Sequence, residues 1–226
     1  MKKVLLFLFI CAAAALPASA GSINALFGYV QPSGDSDVFS QNERETTFRV
    51  NDLNDFGGSV GYDFFLGNNV NLGAGFSYYH SDTTVEDVDF EFQNGDPILR
   101  DIHLQIVPLE ANIKFLPTGR DTVVIPYVGG GFGIYFWEYE EFGDFVNNRN
   151  SPNAEIVNGH AFSDGADPGW HVEAGVFIPV GHSFAIMGEG KYWSAEGDLD
   201  VRGFDPSFEP LDLSGLQIAG GFSFWF

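Results

Sequence analysis

One phrase recurs through this sequence: about ten residues in which apolar and small or polar side chains alternate, ended by a tiny turn or a long acidic stretch. A period of two is the pattern of a β-strand whose faces meet different surroundings. Residues 70–81 place Val70, Leu72, Ala74, Phe76 and Tyr78 on one face, with Asn71, Gly73, Gly75 and Ser77 on the other. Residues 169–180 set Trp170, Val172, Ala174, Val176 and Ile178 against His171, Glu173 and Gly175. Residues 214–226 set Leu216, Ile218, Phe222, Phe224 and Phe226 against Gln217, Ala219, Gly221 and Ser223. A soluble barrel turns its apolar face inward onto a core. Here the second face carries Gly, Ser, Asn and charge, which suits a narrow polar lumen with the apolar face toward lipid.

After residue 20 no segment approaches the eighteen consecutive apolar residues of a membrane helix, so this chain can cross a bilayer only as strands closed into a barrel. The pattern predicts eight strands, at about 24–32, 55–66, 70–81, 102–115, 123–137, 169–180, 184–195 and 214–226. Connections 67–69, 117–122 and 181–183 are short, whereas 33–54, 82–101, 138–168 and 196–213 are long. Short periplasmic turns and long extracellular loops produce that asymmetry. The expected fold is all-β, an eight-stranded antiparallel up-and-down transmembrane β-barrel forming one domain over residues 21–226.

Two strands resist a simple reading. In 102–115, Ile102, Leu104 and Ile106 share one parity and Leu109, Ala111, Ile113 and Phe115 the other, which predicts a β-bulge at Val107-Pro108. The first strand, with Ala25-Leu26-Phe27-Gly28-Tyr29-Val30, has no readable phase. Gly129, Gly131 and Gly133 are expected to face inward, where larger side chains would crowd the lumen.

Residues 1–20 read as a cleaved secretory signal. Lys2 and Lys3 precede an apolar run from Val4 to Ala15, Pro17 breaks it, and Ala18-Ser19-Ala20 fits a small-residue cleavage site before Gly21. That run is too short to span a bilayer roughly 30 Å thick as a helix. It contains Cys11, the only cysteine, so the mature chain would have no disulfide or thiolate chemistry.

The formal net charge of −21 would repel nucleic acid. Most of the 31 acidic residues fall in the four long connections, as solvated charge or as sites where divalent cations or an extracellular partner could bind. Asp63, Glu110, Glu173 and Glu189 instead fall on predicted lumen-facing positions, as do Lys114, Lys191, His103 and His171. Lumen charges in small barrels pair with one another, so Asp63, Glu110, Lys114, Glu173, Glu189 and Lys191 are read as a polar network that fills the interior.

No constellation for catalysis stands out. The Gly-x-Ser-x-Gly elbow, His-Glu-x-x-His and phosphate-loop motifs are absent, and the five histidines show no metal-ligand spacing. Tyr192-Trp193-Ser194-Ala195 faintly resembles the His-x-Ser-Asn segment of outer-membrane lipid A deacylases, but Tyr192 stands where those enzymes carry their general base. The expectation is a non-enzyme with no cofactor, no metal and no catalytic residues.

Four segments resemble one family. Ile125-Pro126-Tyr127-Val128-Gly129-Gly130-Gly131-Phe132-Gly133 looks like the "PYVGxGxG" strand of small outer-membrane β-barrel proteins, the group of opacity-type adhesins and OmpX-like and OmpW-like proteins. Val107-Pro108-Leu109 to Lys114 is similar to that group's preceding strand, and Gly188-Glu189-Gly190-Lys191-Tyr192 to its "GExRY" strand. Phe222-Ser223-Phe224-Trp225-Phe226 looks like the terminal signal read by the barrel-assembly machinery, which makes Phe222, Phe224 and Phe226 the expected assembly signal. The resemblance implies an integral bacterial outer-membrane protein, a monomer in contact with lipids and that machinery. It leaves three roles open: a structural or binding protein acting through acidic surface loops, a narrow porin-like channel for small or apolar solutes, and a lipid A hydrolase.

Overall fold

The computed structural model describes residues 20–149, 151–199, 203–205 and 207–226, so the expected signal segment lies almost wholly outside the described residues. Eight long strands make up the fold: β1 Gly21–Pro32, β2 Asp55–Leu66, β3 Val70–Glu91, β4 Pro97–Phe115, β5 Ile125–Asn147, β6 Glu155–Pro179, β7 Phe184–Gly197 and β8 Gly215–Trp225. Each pairs antiparallel with the next. β8 returns to β1, from Ser22↔Trp225 to Pro32↔Gly215, and closes the ring. In the lower part of the ring every strand is paired on both sides, which is what hydrocarbon demands of a spanning sheet; above Tyr79 in β3 and Gly169 in β6 the ladder runs on one side only.

Strand number and order follow the alternation, but the lengths do not. Segments 82–101 and 138–168, expected as loops, are mostly strand, because β3 and β4 continue to a tip at 92–96 and β5 and β6 to a tip at 148–154. Segment 33–54 folds into a helix, α1 (Asp37–Glu45), and a short turn of 3-10 helix at Val50–Leu53. Segment 196–213 ends in a two-residue strand, Leu211–Asp212, paired with the end of β7.

The phase change in β4 has a different origin from the expected bulge. Pairing with β5 runs unbroken through Val107↔Phe136 and Pro108↔Tyr135. Pairing with β3 keeps one register on either side of that point, at Phe76↔Leu109 and Tyr79↔Ile106. Even-numbered residues face inward along the whole strand: Ile98, Arg100, Ile102, Leu104, Ile106, Glu110 and Lys114 are all buried. Leu109, Ile113 and Phe115 point outward. What changes at Val107-Pro108 is the surroundings. Below it the outside is lipid and the inside polar; above it the outside is water and the inside an apolar core. His103, expected inward under the bulge reading, therefore lies on the outer surface. β3 makes the same switch, from outward Leu72 and Tyr78 to outward Asp82, and from inward Asn71 to inward Tyr79 and Val85.

The outward faces of the lower halves form a continuous apolar band. Phe132 is 77%, Ile218 67% and Phe27 63% exposed, far more apolar surface than a soluble domain leaves uncovered. The inside is layered. At the periplasmic end Leu116, Ile125, Tyr127, Phe177, Ala185 and Met187 pack together, with Trp225 against them. At the extracellular end Phe39, Phe48 and Leu53 from the β1–β2 segment pack onto Tyr79, Ile102, Leu104, Tyr135, Trp137 and Tyr139 of the wall. The polar layer lies between them. Glycines thin the wall there as expected: a Cβ on Gly129 would stand 2.8 Å from Glu173 Oε1, and one on Gly133 2.8 Å from Glu110 Cγ.

The topology makes a direct prediction. Protease added to intact cells should cut at the hairpin tips 92–96 and 148–154 and spare Arg120 in the β4–β5 turn, because exposed tips are the preferred sites of nicking. Cleavage at Arg120 in intact cells would reverse the orientation.

Candidate functional site

Strand parity brings two charged clusters together in the polar layer. In the first, Lys114 of β4 lies among three carboxylates: its Nζ is 3.4 Å from Asp63 Oδ2, 3.9 Å from Glu173 Oε1 and 4.0 Å from Glu189 Oε2. Asp63 also accepts hydrogen bonds from Asn24 Nδ2 at 2.9 Å and Asn71 Nδ2 at 3.4 Å, and Tyr127 donates its hydroxyl to Glu189 at 2.8 Å. In the second cluster Glu110 takes Lys191 as its ion-pair partner, accepts the Tyr135 hydroxyl at 2.8 Å and has His171 Nδ1 at 3.1 Å. Glu189 and Lys191, two apart on β7, thus face the same way but serve different clusters. All six ionisable side chains singled out from the sequence are buried, as is His171. The two clusters lie in the layer between the apolar ends of the lumen, and buried charges persist there when paired.

Above it a second network fastens α1 inside the wall. Asn42 donates to Tyr139 Oη at 3.2 Å and to Glu141 Oε1 at 2.7 Å, and Arg100 donates to Asn42 Oδ1 at 3.0 Å and Glu141 Oε2 at 3.1 Å. Arg149, at the β5–β6 tip, pairs with Asp87 and donates to Asp89 Oδ2 at 3.2 Å. Burial disfavours its charge, but the bonds to Asp87 outweigh that and raise its pKa further. These residues were not singled out from the sequence. The one available signal was that Arg100 and Arg149 are two of very few cations in acidic surroundings.

The outer face of the extracellular part of the wall mixes charged groups with exposed Val88, Leu99, Phe142 and Phe162. His80 Nε2 lies 3.0 Å from Asp82, which His103 also contacts, and the His103 ring stacks on Phe142 with centroids 5.3 Å apart. Burial opposes the Asp82 charge, yet the hydrogen bond from His103 and the two imidazoles keep its carboxyl below the usual range. Glu140 pairs with His160 at 2.7 Å. Among the described residues, no group of three or more His, Cys, Asp or Glu side chains is arranged to hold a metal ion. Tyr192 of the Tyr-x-Ser segment is exposed on the outward face, away from the lumen.

At the C-terminus Phe222, Phe224 and Phe226 all point outward, each just over half exposed. Phe226 exchanges both backbone hydrogen bonds with Gly21 at the seam, at 3.0 and 3.1 Å.

A closed ring of eight antiparallel strands, apolar outside and with a buried charged layer within, defines a transmembrane barrel of the outer-membrane type. Residues 4–209 match the family model described as outer membrane protein beta-barrel domain, and the chain belongs to that family. It is a bacterial outer-membrane protein. Among solved structures it is similar to the outer membrane protein OprG from Pseudomonas aeruginosa (12% identity, 92% of this chain and 96% of that one, TM-score 0.53). It is also similar to Neisserial surface protein A (12% identity, 91% and 97% covered, TM-score 0.49). A third is Ail, the attachment invasion locus protein of Yersinia pestis, in complex with the heparin analogue sucrose octasulfate (16% identity, 91% and 99% covered, TM-score 0.42). No curated protein matches the chain.

Proposed function

We propose that this protein is a closed, non-enzymatic barrel that acts through its extracellular wall, as a structural or partner-binding element of the cell surface. The observation that carries this reading is the double seal: apolar layers close the lumen above and below the polar network. A solute path would require Phe39, Phe48 and Leu53 to leave the upper core, where none is more than 2% exposed. The tall β3–β6 wall, held rigid by strand pairing and the Arg149 clamp, offers an ordered surface rather than mobile loops. Its acidic outer face suits a cationic partner or divalent ions that bridge to anionic head groups.

Folded protein in detergent, presented to outer-surface components, should retain a partner that a variant with the β3–β4 and β5–β6 hairpins trimmed to the membrane does not. Equal retention by both, with folding of each checked by heat-modifiable gel mobility, would refute a role for the wall.

The terminal aromatic run is proposed as the signal for the assembly machinery. Deleting Phe226 should lower folded barrel recovered from outer membranes severalfold, while the urea midpoint of detergent-refolded protein falls only as for any interfacial aromatic. Unchanged cellular yield would remove the run from that role.

A further inference from the structure

The polar layer is short of positive charge, and one of its buried carboxylate oxygens lacks a donor. We propose that the sealed layer binds one monovalent cation, a proton or an alkali ion, at the Glu173 carboxylate. Four carboxylates face the lumen here: Asp63 from β2, Glu110 from β4, Glu173 from β6 and Glu189 from β7. Against them stand Lys114 from β4, Lys191 from β7 and the His171 imidazole from β6, while β5 contributes only the neutral hydroxyls of Tyr127 and Tyr135. β3 contributes Asn71, an amide. Even with His171 as an imidazolium, the layer is one positive charge short. Arg120 approaches only from the periplasmic rim, where its guanidinium is bonded to Asn71 and the carbonyls of Gly67 and Val70. From there it acts on Asp63 and Asp121, but it gives Glu173 Oε1 no hydrogen bond. In water such an imbalance would be screened; between two apolar layers it has to be compensated locally.

The hydrogen bonds single out Glu173. Asp63 has two amides and Lys114, Glu110 has Tyr135 and Lys191, and Glu189 has Tyr127. Glu173 Oε1 has no hydrogen-bond partner, its side chain is 3% exposed, and its nearest ammonium is Lys114 Nζ at 3.9 Å. A cavity of about 50 Å³ opens beside it, lined also by Asp63, Asn112 and Glu189, and Asn112 Oδ1 is another buried oxygen without a donor. That volume admits a small ion or a few waters. The inference rests on the sealed lumen and is independent of any partner at the wall.

The test is urea unfolding of the detergent-refolded barrel between about pH 6 and about pH 9, in choline chloride and in sodium chloride at equal ionic strength, for wild type and Glu173→Gln. A group that holds its proton only when folded contributes stability at low pH and loses it as pH rises. In choline the wild-type folding constant should therefore fall at least about tenfold more over this range than that of Glu173→Gln. Sodium restoring the wild type at high pH would identify an alkali ion as the source; no effect of sodium would identify the proton. Glu173→Gln, which mimics the neutral acid, should be at least as stable as wild type at high pH. The proposal is overturned if the wild-type and Glu173→Gln curves run parallel in both salts, or if the substitution destabilises the barrel at every pH. Should glutamine prevent refolding, Glu173→Leu removes the charge by a different route and the same comparison applies.

Discussion

Replacing Lys114 with methionine should destabilise the detergent-refolded barrel by on the order of 3–5 kcal/mol, the largest loss expected of any lumen charge. Among the described residues Lys114 is the only ammonium within 4.0 Å of Asp63, Glu173 and Glu189, and its side chain is 5% exposed. Methionine fills much the same volume, so the change isolates charge from packing. It strands three carboxylates in a compartment closed to water at both ends. Lys191→Met removes one partner of Glu110, which keeps the Tyr135 hydroxyl and the His171 ring, so its cost should be smaller. Urea titration of the two variants against wild type gives the comparison. A Lys114→Met midpoint matching wild type would mean that the lumen is wet and its charges screened.

The second large effect belongs to the extracellular core. Phe39→Ala should cost about 3–5 kcal/mol of local stability, the range for emptying a buried aromatic site. Phe39 is fully buried, with its ring 5.8 Å from both Phe48 and Tyr139. It anchors a nine-residue helix too short to persist without its docking face. The loss should therefore appear as undocking of segment 33–54 rather than as unfolding of the barrel. Trypsin should then cleave at Arg44 and Arg49 in the variant far faster than in wild type, while heat-modifiable mobility of the barrel is retained. Equal cleavage rates would show that α1 is not held by its aromatic side.

The sequence was legible where a strand has one environment along its length. In β8 and in residues 169–179 of β6, lipid outside and a polar lumen inside hold the parity constant, and Trp170, Val172, Leu216 and Phe222 mark the outward face. β4 passes through two environments. Its apolar residues change parity at Val107-Pro108 while the backbone register stays fixed, and a period-two reading that assumes one environment converts that into a bulge. The upper halves of β3 and β5 were hidden for the same reason. There the outward face carries Asp82, Thr84, Glu138 and Glu140, so acidic content suggested loop although the inward face still held Val85, Trp137 and Tyr139.

Which residues face the lumen follows from parity. Which ones pair does not, because placing Lys114 among three acids and Lys191 on Glu110 depends on how β2, β4, β6 and β7 sit across the barrel. Segment 33–54, which packs into the upper end of the lumen, had almost no local signal. Asp37–Glu45 buries Val38, Phe39 and Asn42 on one face, but two apolar residues in nine make an amphipathic stripe too short to stand out in an acidic stretch.

The central claim is that the barrel is closed, with its work done on the outer surface. Single-channel recording of the folded protein in planar bilayers tests it most directly. The wild-type barrel should give no conductance steps, because Phe39, Phe48 and Leu53 close one end and Tyr127, Phe177 and Met187 the other. Steady, reproducible steps from wild-type protein would contradict it and assign this barrel to the narrow channels.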